Sequence, residues 1–325
     1  MASPGGCAVI VAGQESIRAT DRKVEQMAER LSEIYRAAAD SLDEEARAYF
    51  DRFERQDAKM REKLADGKIT EAEYQDWRKN KLMYGRRYER FREQFAARLA
   101  NVNEDALAYI NGEMPEVYVS NYNDLGTVSV DAVNEQLDLG MTFELVDEDT
   151  VRILATENPA LLPKKKLDVD RDKQWNRKKM RAEILQGILL GEDIPTIAKR
   201  LRKVTDMNEA SAIRNARTMV TSAQARGRME GMRRTSAMGI VQKKVWMSSD
   251  QPGRTRDWHM PGSFVSLTVD VDEPFENELG KIMYPGDPGA APANVYNCRC
   301  TLASEVVGFI DPLTGEYKPV KYGGK

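Results

Sequence analysis

Two cysteines and a single histidine are the residues of this chain whose types and spacing could do chemistry. Cys298 and Cys300 form a C-x-C pair, and His259 and Asp287 precede them. Thiolate, imidazole and carboxylate are all ligands that Zn²⁺ accepts. However, C-x-C is tighter than the usual spacing of paired zinc cysteines, and one histidine limits the ligand set. We therefore expect no cofactor, with a zinc site at His259, Asp287, Cys298 and Cys300 as the alternative.

The same region offers a polar network as a second interpretation. Arg254, Arg256 and Arg299 carry planar, permanently charged groups that can clamp carboxylates or backbone carbonyls. The stretch from Tyr284 to Asp287 predicts a turn, because its proline fixes one backbone torsion and its glycine permits the next. We expect this network to hold together a small domain that has little hydrophobic core.

An enzyme is the third interpretation, and the sequence argues against it. Nothing beside Cys298 and His259 indicates an oxyanion hole or an activated thiolate. Arg256, Ser266–Thr268 and Glu276–Glu278 imitate the order of ADP-ribosyltransferase motifs, but too few residues separate them for a nucleotide-binding core. The sequence contains no Walker A, G-x-G-x-x-G or H-E-x-x-H motif. We therefore expect no catalytic residues.

The elements that carry these residues are predicted to be mostly helical. Residues 21–112 predict a long N-terminal antiparallel helical hairpin behind a tail over residues 1–20, because apolar residues recur there at steps of three and four. Gly67 ends the first helix of the hairpin, since glycine adopts the left-handed cap conformation at low cost. Thr70 and Glu73 form a capping box that starts the second helix.

The remaining chain predicts a connector, more helices and a compact end. Apolar residues at Phe143, Leu145, Val151 and Ile153 flank a polar turn, which predicts a small β-hairpin inside the connector. The fold class is therefore mainly α with a small C-terminal α+β module. The predicted regions are an acidic connector over 113–168, a helical middle region over 169–239, the C-terminal module over 240–310 and a tail over 311–325.

The charge of the chain is unevenly distributed along its length. From Asn101 to Ala160, thirteen acidic residues stand against one basic residue, whereas from Pro195 to Lys244 twelve basic residues stand against three acidic ones. A basic block favours an acidic partner, the chain's own acidic stretch, or DNA phosphates contacted without reading of base sequence. The arginines expected to make these contacts are Arg214, Arg217, Arg226, Arg228, Arg233 and Arg234.

The cysteine count and the N-terminus indicate the compartment. Three cysteines with one tight pair do not form a disulfide framework, so a reducing compartment is expected. The apolar run near the N-terminus is short and lacks a preceding basic flank, so we expect neither a signal peptide nor a membrane span. Synthesis in the cytoplasm follows.

An ordered series of motif residues in the C-terminal third resembles a known family. The series consists of Trp246, Arg254, Arg256, His259, Gly262, Tyr284, Pro285, Gly286, Asp287, Asn297, Cys298, Arg299 and Cys300. This order and spacing is similar to the C-terminal domain of the Mu F-like, SPP1-type minor head proteins of bacteriophages, which act in head morphogenesis. The helix before the series also resembles the family's lead-in helix.

The resemblance implies a low-copy structural protein of a phage head. Its implied partners are the phage portal protein, the major capsid or scaffolding protein, and packaged double-stranded DNA bound non-specifically. Its implied location is the virion, in the head interior or portal region, after synthesis in the bacterial host. A DNA-binding protein that leaves with the genome is the main alternative, and a metal-dependent or thiol enzyme is the second.

Overall fold

The computed structural model describes residues 9–249 and 255–320, so the predicted motif residue Arg254 lies outside the described residues. The chain divides into two compact units. The helical unit comprises Ala28–Tyr109 and Lys165–Ile213. The mixed unit comprises Met1–Met27, Ile110–Lys164 and Arg214–Lys325.

Helices dominate the described residues, and strands are confined to the two ends of the chain. The helices are α1 (Gln14–Ala65), α2 (Glu71–Met83), α3 (Arg86–Leu137), α4 (Glu148–Glu157), α5 (Val169–Leu189), α6 (Ile194–Arg200), α7 (Arg202–Ala237) and α8 (Pro292–Val295). The strands are β1 (Val9–Val11), β2 (Ile240–Met247), β3 (Thr268–Asp270), β4 (Phe275–Asn277), β5 (Gly280–Ile282), β6 (Thr301–Ile310) and β7 (Tyr317–Pro319). The predicted fold class, mainly α with a small C-terminal α+β module, is confirmed. No helix among the described residues is long and apolar enough to cross a membrane.

The turn of the predicted hairpin forms as its sequence indicates. Helix α1 ends at Ala65, and Gly67 takes the left-handed conformation with φ +68°. Thr70 then caps α2: its side chain accepts from the backbone of Glu73, whose carboxylate accepts from the Thr70 backbone in return. Two unpaired amide groups at the start of α2 are satisfied in this way.

The second arm of the hairpin is longer and more broken than predicted. A break at Tyr84 and Gly85, where Gly85 has φ +93°, separates α2 from α3. Helix α3 then continues through Pro115 to Leu137, so the predicted end of the hairpin at residue 112 is wrong. A proline inside a helix costs about 3 kcal/mol. Burial of the apolar residues around it offsets that cost, since Met114 is fully buried.

The β-hairpin predicted in the acidic connector is also wrong. Val151 and Ile153 lie on helix α4, and Phe143 and Leu145 precede it without regular structure. Asp147 starts α4 by accepting a hydrogen bond from the backbone of Thr150. The cap at Asp147 favours a helix here more strongly than the short alternation of apolar residues favours strands.

The core of the helical unit is built from aromatic residues on the facing arms of the hairpin. The rings of Tyr49 and Phe91 stack with centroids 4.3 Å apart, and Phe50 and Phe95 are fully buried beside them. Helices α5 and α6 complete this core with Ile184, among other aliphatic side chains.

The sheet of the mixed unit joins both ends of the chain. The long strand β6 pairs antiparallel with β2 along its whole length, from Ile240↔Phe309 to Met247↔Thr301. Strands β1 and β7 both pair with β6, and β6 also pairs with β2. Strand β3 extends the sheet by pairing with β2. The two segments predicted as tails, 1–20 and 311–325, are therefore not tails throughout, because each contributes a strand to this sheet.

Candidate functional site

Helix α7 is the element on which the C-terminal motif is assembled, and its small residues permit close packing. A β-carbon on Gly227 would lie 2.4 Å from the carbonyl oxygen of Tyr118 on α3. One on Gly231 would lie 2.9 Å from the carbonyl oxygen of Tyr122. The backbones of α7 and α3 therefore touch within the mixed unit, and no larger residue fits at either position.

Arg228, one of the predicted partner contacts, is fully buried inside the mixed unit. Its guanidinium donates to the carbonyl oxygens of Ala12 (2.6 Å), Gly13 (3.0 Å) and Leu302 (2.9 Å). It also donates to the side-chain oxygens of Asn121 (2.9 Å) and Ser16 (2.6 Å). Burial lowers the pKa of Arg228 to about 10, although the negative charge of Asp124 acts in the opposite direction and raises it. Arg228 ties both ends of the chain to α7, and its prediction as a partner or DNA contact is wrong.

The other predicted contact arginines are mostly directed at the protein's own groups. Arg226 and Arg233 both pair with Glu230, at 3.1 and 2.7 Å, and Arg233 also pairs with Asp272 at 2.6 Å. Arg217 donates to the side chain of Asn297 at 2.8 Å. Of the six arginines, only Arg214 and Arg234 are exposed. Arg234 pairs with Glu144 of the acidic stretch at 2.7 Å.

The predicted turn from Tyr284 to Asp287 forms and packs on α7. Gly286 has φ +81°, and a β-carbon there would lie 2.8 Å from the backbone nitrogen of Ser222, so this position requires glycine. The carboxylate of Asp287 accepts from the backbone nitrogens of Met283 (3.0 Å) and Gly289 (2.8 Å). Asp287 thus stabilises its own turn and is not brought to the cysteines, so its prediction as a fourth metal ligand is wrong.

The loop that carries the C-x-C pair is anchored to the same helix. Asn297 has φ +59° and its backbone nitrogen donates to the hydroxyl of Thr218 at 2.9 Å. The carbonyl of Cys298 accepts from the hydroxyl of Thr221 at 2.7 Å. Arg256 clamps the residues just before this loop by donating to the backbone carbonyls of Ala293 and Tyr296. Arg256 therefore makes the contacts with backbone carbonyls that the sequence predicts for it.

His259, Cys298 and Cys300 form one buried cluster. The Nδ1 atom of His259 lies 3.5 Å from Sγ of Cys298 and 3.8 Å from Sγ of Cys300. All three ligand atoms lie within 4.8 Å of one another, and neither cysteine is in a disulfide. The sequence separates the histidine from the cysteines widely, and the fold brings them together at the end of β2 and the start of β6.

The two thiols of the cluster titrate as a pair. The hydrogen bond from Cys298 lowers the pKa of Cys300 to about 5, although burial opposes this shift. The pKa of Cys298 is raised, because it shares a hydrogen bond with Cys300 and is buried. The pair therefore holds a negative charge on one sulfur close to an imidazole.

Aromatic rings shield the cluster on one side. The Trp246 ring lies 5.2 Å from the His259 ring, 4.7 Å from Phe264 and 5.3 Å from Phe275, measured between centroids. On another side, a cavity of about 10 Å³ is lined by the cluster and by Ser249, Thr255, Arg256, Asn297 and Arg299. This volume is about that of one water molecule and far below that of a substrate pocket.

Two residues of the site have no signal in the sequence. Asn294 lies beside His259, and Asn277 pairs with Asn294 through reciprocal amide hydrogen bonds of 3.0 and 3.2 Å. In a sequence, asparagine ordinarily indicates a turn, so neither residue could be assigned to the site from its spacing. Gly262 is the opposite case: it is exposed in the turn Pro261–Ser263, and nothing in the structure explains a glycine there.

The fold and the site together define a mainly helical chain whose C-terminal α+β module fixes a C-x-C loop on a helix of small residues. Residues 178–303 match the family model described as Phage Mu protein F like protein. The chain is also 26% identical over 251 residues to the minor head protein GP7 of Bacillus phage SPP1, covering 73% of this chain and 77% of that protein. No solved structure matches the chain significantly. The predicted resemblance to the Mu F-like phage head morphogenesis proteins is confirmed.

Proposed function

We propose that this protein is a structural component of a phage head that binds the portal protein during head assembly and DNA packaging, and that it resides in the virion. Its similarity to a minor head protein over most of both chains supports this role. The partners proposed with it are the portal protein, the major capsid or scaffolding protein and, non-specifically, the packaged DNA.

The contacts that the motif residues make support a structural role. Arg256, Asp287 and Asn297 bind backbone or side-chain groups of their own compact unit. The cavity beside the His259 cluster holds about 10 Å³, which leaves no room for an organic substrate. The motif thus builds a rigid module, and a rigid module suits docking on a larger assembly better than catalysis.

Two exposed arginines of α7 are the members of the predicted contact set that remain available to a partner. Arg214 and Arg234 are exposed, and the Arg234 ion pair with Glu144 is itself mostly exposed to solvent. An exposed ion pair contributes about 0–1 kcal/mol, so a partner carboxylate can replace Glu144 at small cost.

Co-purification with the portal protein of the same phage tests the proposal. We expect the full chain to co-elute with a tagged portal ring at a fixed ratio, and particle imaging to show extra density on the ring. The double variant Arg214→Glu with Arg234→Glu is expected to reduce the bound fraction about tenfold or more, because charge reversal opposes like charges across the interface. The matched control, Arg214→Lys with Arg234→Lys, keeps the charge and is expected to bind.

Two outcomes would overturn parts of this proposal. Absence of a portal complex, with the chain retained instead on random DNA in a salt-sensitive way, would replace it with the DNA-escort function. A portal complex that is unaffected by the charge reversal would keep the structural role and remove Arg214 and Arg234 from the interface.

A further inference from the structure

We infer that His259, Cys298 and Cys300 bind one Zn²⁺ ion that cross-links the C-terminal module. Zinc bonds of about 2.3 Å to sulfur and about 2.0–2.1 Å to nitrogen, at tetrahedral angles, place nitrogen about 3.5–3.6 Å from each sulfur and the two sulfurs about 3.8 Å apart. The Nδ1 atom of His259 lies 3.5 and 3.8 Å from the two sulfurs. The two distances from Nδ1 to the sulfurs are therefore close to those of a zinc tetrahedron, and the two sulfurs lie within 4.8 Å of each other.

The orientation of the histidine ring supports a metal ligand. Nε2 of His259 lies 3.3 Å from Oδ1 of Asn294, so this nitrogen carries the proton and Nδ1 presents its lone pair to the cysteines. Asn277 donates to the carbonyl of Trp258 and accepts from the backbone nitrogen of Leu279, which fixes the orientation of its amide. Its reciprocal hydrogen bonds with Asn294 then fix the amide of Asn294, with the oxygen facing the ring. A hydrogen bond on the far nitrogen is the usual support of a zinc-bound imidazole.

Both sulfurs are also supported by backbone donors. The backbone nitrogen of Cys300 donates to Sγ of Cys298 at 3.4 Å. The backbone of Ser249 donates to the sulfur of Cys300. Amide donors of this kind stabilise thiolates, which are the protonation state that binds zinc.

Charge balance favours an ion in a site as buried as this one. His259, Cys298 and Cys300 are all buried. When they bind a metal as two thiolates and one neutral imidazole, they carry two negative charges. One Zn²⁺ neutralises them, which removes the cost of burying net charge. Sulfur and nitrogen donors select zinc over magnesium or calcium. The adjacent cavity of about 10 Å³ has room for one water as the fourth ligand.

The first experiment measures metal in the full-length chain purified under reducing conditions from zinc-supplemented cells. Elemental analysis is expected to give about one zinc per chain. The variant Cys298→Ser with Cys300→Ser is expected to lose this zinc. The control Cys7→Ser replaces the third cysteine, which lies outside the described residues, and is expected to retain it.

The second experiment removes the risk that a cysteine variant simply fails to fold, because it uses the wild-type chain. Replacement of zinc by Co²⁺ is expected to give thiolate-to-metal absorption with the intensity of two sulfur ligands. The variant Asn294→Leu keeps all three ligands but removes the acceptor on His259, and a loss of about 10–100-fold in zinc affinity is expected.

Two results would overturn the zinc site. The first is a folded, reduced wild-type chain that carries no zinc and takes up neither Zn²⁺ nor Co²⁺ on titration. The second is unchanged zinc content in the double cysteine variant. Neither result bears on portal binding, so failure of the zinc site and failure of the proposed function are distinguishable.

Discussion

At the scale of single residues, Arg228 and Arg234 show how one helix uses the same side chain in opposite ways. Arg228 is fully buried and binds three backbone carbonyls and two side chains, whereas Arg234 is exposed and pairs only with Glu144 among the contacts described. Sequence periodicity places both arginines on α7 but does not distinguish them. The distinction depends on β1 and β6, which approach Arg228 from the two ends of the chain.

Replacing Arg228 is therefore predicted to destabilise the protein strongly. Arg228→Met keeps the volume and leaves the carbonyls of Ala12, Gly13 and Leu302 buried without their donor. Each such acceptor costs about 1–3 kcal/mol, so the free energy of unfolding should fall by about 3 kcal/mol or more. Chemical denaturation measures this loss.

The matched control on the same helix is Arg234→Met. Its ion pair with Glu144 is exposed, so a loss below about 1 kcal/mol is expected. Equal losses in the two variants would contradict the assignment of Arg228 as the residue that joins the ends of the chain.

The candidate site could be predicted in part from residue types. The sequence indicated that His259, Cys298 and Cys300 could share a site, and the structure brings them together. It also suggested Asp287 as a ligand, because a carboxylate between the histidine and the cysteines is chemically suitable. The carboxylate instead accepts two backbone bonds within its own turn, and local bonds of this kind are decided by backbone geometry that residue spacing does not reveal.

At the scale of elements, the packing of α7 on α3 depends on glycine. Gly227→Ala is predicted to lower the free energy of unfolding by about 1–3 kcal/mol, because its β-carbon would lie 2.4 Å from the carbonyl oxygen of Tyr118. Neither backbone can yield without moving a helix. Thermal or chemical denaturation measures the change.

Gly112 on α3 supplies the control for this prediction. A β-carbon there meets nothing within 4 Å, so Gly112→Ala should raise the free energy of unfolding by about 0.5–1 kcal/mol through helix propensity alone. If both substitutions lowered the free energy of unfolding, the loss in Gly227→Ala could not be attributed to the close contact with Tyr118.

The extent of each helix was predictable only where local signals agree. Gly67, Thr70 and Glu73 set the turn after α1 because cap and glycine act locally. The predicted end of the hairpin at residue 112 does not occur, because buried contacts along α3 outweigh the hydrogen bond lost at Pro115. Tertiary burial of this kind cannot be read from one segment of sequence.

At the scale of the whole molecule, the chain's ends are parts of the sheet instead of tails. Strand β1 is three residues long and β7 is equally short, so neither has the length of a strand that hydrophobic alternation can identify. Their partner is β6, a longer strand that is rich in β-branched and apolar residues. Pairing between segments at opposite ends of a chain is set by the fold of everything between them.

Each compact unit contains its own buried arginine and its own hydrophobic core, which predicts separate responses to mutation. In the helical unit, Arg78 is fully buried and its Nε lies 3.2 Å from Asp57, which also accepts a hydrogen bond from the hydroxyl of the buried Tyr74. In the mixed unit, Arg228 is also fully buried, and it donates to Asn121. A substitution that weakens one core should increase local opening mainly among residues that share it.

Hydrogen exchange followed by mass spectrometry on the full chain tests this prediction. Arg78→Met is expected to increase exchange in residues 28–109 and 165–213, and Arg228→Met in residues 9–27, 110–164 and 214–320. Helices α1, α3 and α7 contribute to both units, so peptides within one helix should differ in their response on the two sides of the boundary. A uniform increase across the chain in both variants would instead mean that the two units open as one cooperative structure, because a single opening event exposes all amides together.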